Sequence, residues 1–284
     1  MAFSFSIDST CYTQVAENGL EAVKNMSDLI AAFNKYFEII PANTADLKNQ
    51  FFHLRYQVYS QELQLPGFES WRYPDGREID KYDKRSVCCL LRHQPKGFIV
   101  GGIRLVFCDP DDPFQPFPIE EHVGHHFDTQ LIEPAQLPRR TTVEVTRLVI
   151  SRQFRNRGRE IHYAHGLDDS SFGNKSDKRR QFPHPVLGLL VALVQMSSEY
   201  GITHWYAGME PALNRLLRRF GFNLKPIGPL VDYYGIRRPY LDTVDNVLTR
   251  VFQKKRDIWD LVTDRGRIWP VSKEWTAKQL STNS

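Results

Sequence analysis

Charge set inside segments that otherwise demand burial constrains this chain most. Thr142-Val-Glu144-Val-Thr146-Arg147-Leu-Val-Ile150 is otherwise mostly apolar and β-branched, and Val100-Gly-Gly-Ile-Arg104-Leu-Val-Phe107 carries one arginine at its centre. Both read as strands. A charge taken out of water on a strand is costly unless it is paired and hydrogen-bonded. Glu78-Ile-Asp80-Lys-Tyr-Asp83 supplies three more acids, and Arg55 a further cation. The four acids and the arginines at 55, 104 and 147 can neutralise one another. Clusters of this kind concentrate at functional sites.

The rest of the chain narrows the class. With 284 residues it is long enough for one large domain or two small ones. No apolar run approaches the roughly 18 residues of a membrane span. The start, Met-Ala-Phe-Ser-Phe-Ser-Ile-Asp, lacks the basic and apolar regions of a signal peptide. Cys11, Cys88, Cys89 and Cys108 form no Cys-x-x-Cys pair, so the expectation is a cytoplasmic protein with thiols serving as small core residues. The net charge is +4. Between Arg152 and Arg180 eight basic side chains face four acidic ones, which is that whole excess, in a stretch rich in Gly, Ser and Asn. It reads as a long basic loop.

Weak helical spacing over residues 19–37 is followed by a helix over 47–63 that ends at Pro66-Gly67. Strands at 86–92 and 98–107, joined by Gln94-Pro-Lys-Gly97, make a hairpin. Residues 109–140 are proline-rich and irregular. After the strand at 142–150 and the basic loop, Pro185 opens a helix that is apolar nearly all round and therefore buried. Then come a strand at 203–209, a short helix from Pro211 to Gly221, a strand at 223–227 and an amphipathic helix over 243–263. This order predicts a mixed sheet with helices on both faces. Three segments are expected: a helical extension over 1–44, a main domain over 45–245 with the basic loop at 151–182, and a helical extension over 246–284.

Arg55 with Tyr59, Glu78-x-Asp80-x-x-Asp83, Gly102-Ile-Arg104 and Glu144-x-Thr146-Arg147 resemble the signature of the acyl-homoserine-lactone (autoinducer) synthases. A longer pattern is similar to the PEP-CTERM/exosortase-system-associated acyltransferases, themselves similar to the long-chain N-acyl amino acid synthases. It comprises Ser151-Arg152-Gln-Phe154-Arg155-x-Arg157, Ala207-Gly-Met-Glu210-Pro211, Arg215-Leu-Leu217, Phe220-Gly221 and Ile227 through Tyr240. The resemblance implies an α/β (α+β) GNAT-like acyl-CoA N-acyltransferase fold, whose central sheet has two splayed parallel strands, here 142–150 and 203–209. Leu65 stands where autoinducer synthases carry tryptophan, Tyr59 where they carry phenylalanine, and Thr146 where many carry serine. These departures point away from lactone synthesis.

The implied chemistry is acyl transfer from a thioester to an amine, with no bound cofactor. Glu144 is the expected base, acting directly or through a water, because a strand carboxylate among apolar neighbours has a raised pKa. Strand alternation puts Thr146 on its face, to orient that water, and Arg147 on the other, tying down Asp80 or Asp83. Arg55, Tyr59, Glu78, Asp80, Asp83, Arg104 and Arg147 are the expected substrate-binding set; Arg104 suits an acceptor carboxylate, and Asp80 equally suits the amine. Backbone N–H groups of Leu148, Val149 and Ile150 would polarise the thioester carbonyl. Arg152, Arg155 and Arg157 would meet an acidic acyl carrier protein or the phosphates of acyl-CoA. Phe182, Leu187, Leu190, Val194 and the aromatics at 51, 52, 56 and 59 are candidates for an acyl channel. The expected partners are the donor and a small amine acceptor, without nucleic acid.

Simpler readings compete. The acids and arginines make equally good architecture. The histidines at 122, 125, 126, 162 and 165 lack a zinc spacing. Gly101-Gly102 suits a strand bulge better than a phosphate loop. A non-catalytic relative binding through the basic patch, and a signal synthase consuming S-adenosylmethionine, are the alternatives to an N-acyl amino acid synthase.

Overall fold

A computed structural model describes residues 29–155 and 184–271. Its strands are β1 (Phe37–Pro41), β2 (Ser86–His93), β3 (Phe98–Phe107), β4 (Thr142–Ile150), β5 (His204–Met209), β6 (Lys225–Pro226), β7 (Val231–Asp232) and β8 (Ile236–Thr243). They lie in the order β1-β2-β3-β4-β5-β8-β6, with β7 paired to β8. β4 and β5 are the parallel pair; the others are antiparallel. The helices are α1 (29–36), α2 (Ala45–Tyr56), α3 (Pro118–Val123), α4 (Arg152–Arg155), α5 (Pro185–Glu199), α6 (Pro211–Arg219), α7 (Val244–Lys254) and α8 (Arg256–Val262).

α5 is buried on nearly every side because it lies between the sheet and α8. Val186, Leu189 and Leu190 join Leu91, Ile103, Leu105 and Val143 in the main core, each buried aliphatic side chain contributing about 1.5–3 kcal/mol. α7 and α8 extend the same core through Val247, Val251 and Trp259, and Phe33 of α1 reaches it from the other end. α2 covers the opposite face, where Phe51, Leu54 and Val58 meet Cys88, Leu90 and Val149. Its N-terminus is capped by the Thr44 hydroxyl, which accepts from the Leu47 N–H. Gly102 sets the distance: a Cβ there would lie 2.5 Å from the Phe51 ring. That close approach delivers Arg55, one turn beyond Phe51, to the sheet surface.

Several expectations need correction. The strand at 37–41 occupies the end of a stretch read as helical, where Ile39 and Ile40 pair with Leu91 and Leu90. The strand at 223–227 shrinks to Lys225–Pro226, since Pro226 supplies no donor to extend a ladder. β8 fills the sheet beside β5 and was not read as a strand, because Arg237, Arg238 and Pro239 mask its pattern. The single helix at 243–263 is two, broken at Lys255, whose φ of −147° and ψ of 68° are not helical. The expected bulge beside Gly101-Gly102 exists: the β2–β3 register slips between Leu91 and Arg92, leaving Val100 extra.

Candidate active site

Six charges meet where α2, the turn before β2, β3 and β4 converge. The Arg55 Nε donates to Glu78, and its Nη1 donates to Asp83 at 2.7 Å. Arg104 spends all three nitrogens: Nε on Thr146 Oγ1 at 2.9 Å, Nη1 on Asp80 and Asp83 at 2.7 and 2.6 Å, and Nη2 on Asp80 at 2.9 Å. Arg147 holds Glu78 through Nε and Nη2, both at 3.0 Å, and Asp80 at 2.8 Å. The Asp80-x-x-Asp83 spacing has a local cause. Asp80 accepts from the Tyr82 N–H and Asp83 from the Asp80 N–H, so the two acids cap the turn Lys81–Arg85. Burial opposes ionisation of Glu78, but Arg147 and Arg55 outweigh it and hold the carboxyl at about 2. Asp80 is likewise held well below its ordinary value, burial being overcome first by Arg104 and then by Arg147.

The tether from Arg147 goes to Asp80 and Glu78 rather than Asp83, and its side chain does not point to the opposite face. Between Gly102–Val149 and Arg104–Thr146 the β3–β4 register skips one residue of β4. Arg147 has φ 51°, the left-handed conformation of a bulge. The bulge reverses the alternation. Thr146 and Arg147 both reach the ion cluster, Leu148 turns toward the α5 side, and Val149 turns back toward α2. Arg147 also lies over the rings of Tyr59 and Phe68, at 5.7 and 5.4 Å. Tyr59 sits in a π-helical turn, Gln57–Glu62, that continues α2, a local irregularity frequent at functional sites.

Glu144 is treated differently by its surroundings. It is 2% exposed, and its Oε2 accepts the backbone N–H of Ile119, near the start of α3, at 2.7 Å. Among the described residues no side chain pairs with it directly. Burial pushes its pKa up to about 8, against the smaller opposing pulls of the Ile119 N–H and Arg104. At neutral pH it is mostly a neutral acid, poised to exchange a proton.

Glu144 faces a cavity of about 1360 Å³, its mouth included. β4 and β5 pair only at Thr142–His204, Val143–Trp205 and Glu144–Tyr206. Beyond that point the strands part, β4 running to Ile150 and β5 to Met209, and the cavity passes between them. On one side of the sheet its wall is polar, with Asp80, Arg104, Glu144, Thr146 and Arg147. On the other it is apolar, with Leu148, Leu190, Leu193, Leu213, Leu217 and Phe222. The apolar wall therefore comes from α5, α6 and the segment after it, with Leu148 of β4. Of the expected channel residues, Leu190 and Tyr59 line the cavity; Phe51, Phe52 and Tyr56 belong to the α2 side, and Leu187 and Val194 lie in the core. Phe182 lies outside the described residues.

The ion cluster is layered. Asp80, Arg104 and Arg147 reach the cavity, whereas Arg55, Glu78 and Asp83 stand behind them and fix their positions. Leu148 lines the gap, whereas the side chains of Val149 and Ile150 do not. The Arg152 N–H donates to Glu62, and its side chain is exposed. Arg157, most of the basic loop and the Arg155 side chain lie outside the described residues. Sequence reasoning missed Tyr82, His122, Tyr233, Tyr234, Glu210 and Arg237, which complete the polar wall. The signal was present but given no site role: Glu210 lies in the Ala207–Pro211 motif and Tyr233, Tyr234 and Arg237 in the Ile227–Tyr240 motif, where Gly235 at φ 102° turns β7 into β8 in a conformation that favours glycine. Among the described residues no group of His, Cys, Asp and Glu is placed to hold a metal ion, and no helix is long and apolar enough to cross a membrane.

The acetyltransferase (GNAT) domain family matches residues 54–163. No curated protein matches the chain. The CoA-dependent acyl-homoserine lactone synthase BjaI is similar in structure, both with MTA and with SAM and isopentyl-CoA; each comparison has TM-score 0.51 and 21% identity over 84% of this chain and 90% of that one. TofI, in a ternary complex with an inhibitor and MTA, gives TM-score 0.51 and 18% identity over 80% of this chain and 97% of that one. The mixed sheet with its parted parallel strands is a GNAT-like fold.

Proposed function

We propose that the protein is an N-acyltransferase that moves a fatty acyl group from an acyl carrier protein or acyl-CoA thioester to the amine of an amino acid or similar small molecule. One observation carries the reading: a buried carboxyl with a raised pKa, Glu144, faces a cavity that runs between parted parallel strands. Backbone groups of β4 beyond Glu144 have no β5 ladder partner among the described residues, so they are available to a pantetheine arm. An N–H there polarises the thioester carbonyl. The apolar wall of Leu190, Leu193 and Leu217 takes the acyl chain. The amine enters from the polar side. As its nitrogen attacks the carbonyl carbon, Glu144 accepts the amine proton, directly or through a water held by Thr146. The C–N bond forms, the C–S bond breaks, and the thiolate leaves with a proton. The ion cluster keeps Arg104, and through it Thr146, in register with Glu144.

Arg152, Arg155 and Arg157 are the proposed docking residues for the donor, which electrostatic steering favours whether the donor is acidic protein or nucleotide. The longer sequence resemblance, to the PEP-CTERM/exosortase-associated acyltransferases, supports a role beside such a system.

The test is purified full-length protein incubated with acyl carrier protein thioesters, acyl-CoAs, an amino-acid mixture and S-adenosylmethionine, with products weighed by mass spectrometry. N-acyl amino acids are expected. An acyl-homoserine lactone formed only with S-adenosylmethionine would replace this reading by the one that BjaI, solved with SAM and isopentyl-CoA, represents. No acylated product from any donor would reject acyl transfer.

A further inference from the structure

The ion cluster is electrically closed, with three arginines against three carboxylates. Arg104 and Arg147 therefore bring little uncompensated charge to a substrate. Arg237 differs. It lines the same cavity from β8, makes no hydrogen bond among the described residues, and has a buried Nε without a partner. Glu210 Oε1 forms an ion pair with it at 3.6 Å from Nη2, beyond hydrogen-bond length, so the guanidinium's donors remain open to a ligand although its charge has a partner. A desolvated Nε donor with no acceptor is costly unless a ligand fills it. Its planar fork suits a carboxylate.

Arg237 shares the cavity with Glu144, and Tyr233 lies beside the arginine. Arg237 lies 5.9 Å from the centre of that ring, and His122 stacks on the same ring at 4.9 Å. Burial and then Glu144 push the Tyr233 hydroxyl up, while Arg147 and Arg237 pull it down. Tyr233, Arg237 and Glu144 all line the same cavity. An α-amino acid carries its amine and its carboxylate on the same carbon, and a polar lobe with a proton acceptor and an arginine on its wall matches that pair of groups.

We infer that Arg237 binds the carboxylate of the acceptor and so selects an amino acid over a simple amine. The assignment rests on the acyl-transfer reading above and deepens it. Isothermal titration calorimetry on the full chain provides a test that needs no turnover. The probes are N-dodecanoyl derivatives of glycine, leucine, tyrosine and glutamine, each beside its carboxamide. The wild type is expected to bind at least one acid about ten- to a hundredfold more tightly than its amide. Arg237→Gln should abolish that ratio, and Arg237→Lys should keep part of it. Equal affinity for every acid and amide, no binding of any acid at millimolar concentration, or a ratio that survives Arg237→Gln would each overturn the assignment. In turnover, Arg237→Gln should raise KM for the amino acid by a similar factor and leave the donor KM unchanged. A rise confined to the donor KM would assign Arg237 to the donor's phosphate instead. Absence of all acylated product, by contrast, counts against acyl transfer itself and is read in the separate mass-spectrometric assay.

Discussion

Glu78 and Glu144 are glutamates of nearly equal burial, 1% and 2% exposed, on neighbouring segments of one protein, yet they sit at opposite ends of the titration range. Glu78 lies between Arg55 and Arg147 and is held at about 2. Glu144 receives one backbone N–H and no guanidinium, and is raised to about 8. The difference shows that burial does not decide a carboxylate's role; the partners supplied after burial do. A paired acid is a fixed negative charge and builds architecture. An acid left with one neutral donor remains able to trade a proton. The molecule keeps both kinds side by side, and the first positions the second.

Four experiments would break or sharpen this contrast. Arg55→Ala strips the rear of the cluster and leaves three buried or half-buried carboxylates with only Arg104 and Arg147; urea unfolding should show a loss of about 3–5 kcal/mol. A loss below 1 kcal/mol would mean the cluster is not architecture. Glu144→Gln should keep the fold, judged by near-ultraviolet circular dichroism, and lower turnover by roughly a hundredfold or more. In the wild type, kcat/KM should rise with pH through about 8 as Glu144 ionises. Unchanged turnover in the variant would remove Glu144 as the base. Leu193→Trp fills part of the apolar wall and should shift preference toward shorter acyl donors by about tenfold, measured by competition between thioesters of different length. An unshifted preference would move the acyl chain elsewhere.

The last test is stability against pH. Glu144 stays protonated in the fold while the unfolded chain ionises above about 4.5, so its contribution falls as pH rises from about 4.5 to about 8. Glu78 is ionised in the fold, so its contribution is lost in the other direction, as pH falls from about 4.5 toward about 2. Glu144→Gln should therefore remove the slope between about 4.5 and about 8, a change of several kcal/mol (roughly 1.4 kcal/mol per pH unit), and leave the acid slope intact.

Much of the fold was legible. β3 and β4 emerged at the residues observed because each is a long run of β-branched and apolar residues bounded by turn signals. α5 declared itself through Pro185 and continuous apolarity. The charged residues were also legible as a set, since each stood out against apolar neighbours. β8 was not, because its arginines face the cavity and the solvent, and Pro239 breaks the pattern. The cavity wall from β7 and β8 escaped for the same reason: Tyr233 and Arg237 lie far along the chain from Glu144, and nothing local to them records that neighbour.

Sequence alone determined that buried charges of both signs must find one another and that strands and helices of this order must form a covered mixed sheet, because desolvation and side-chain periodicity act within short segments. Tertiary structure alone decided which acid remains unpaired, where the alternation of β4 reverses, and how β4 and β5 part. Those outcomes depend on which backbone and guanidinium groups arrive from distant segments, and on hydrogen bonds left unmade between strands.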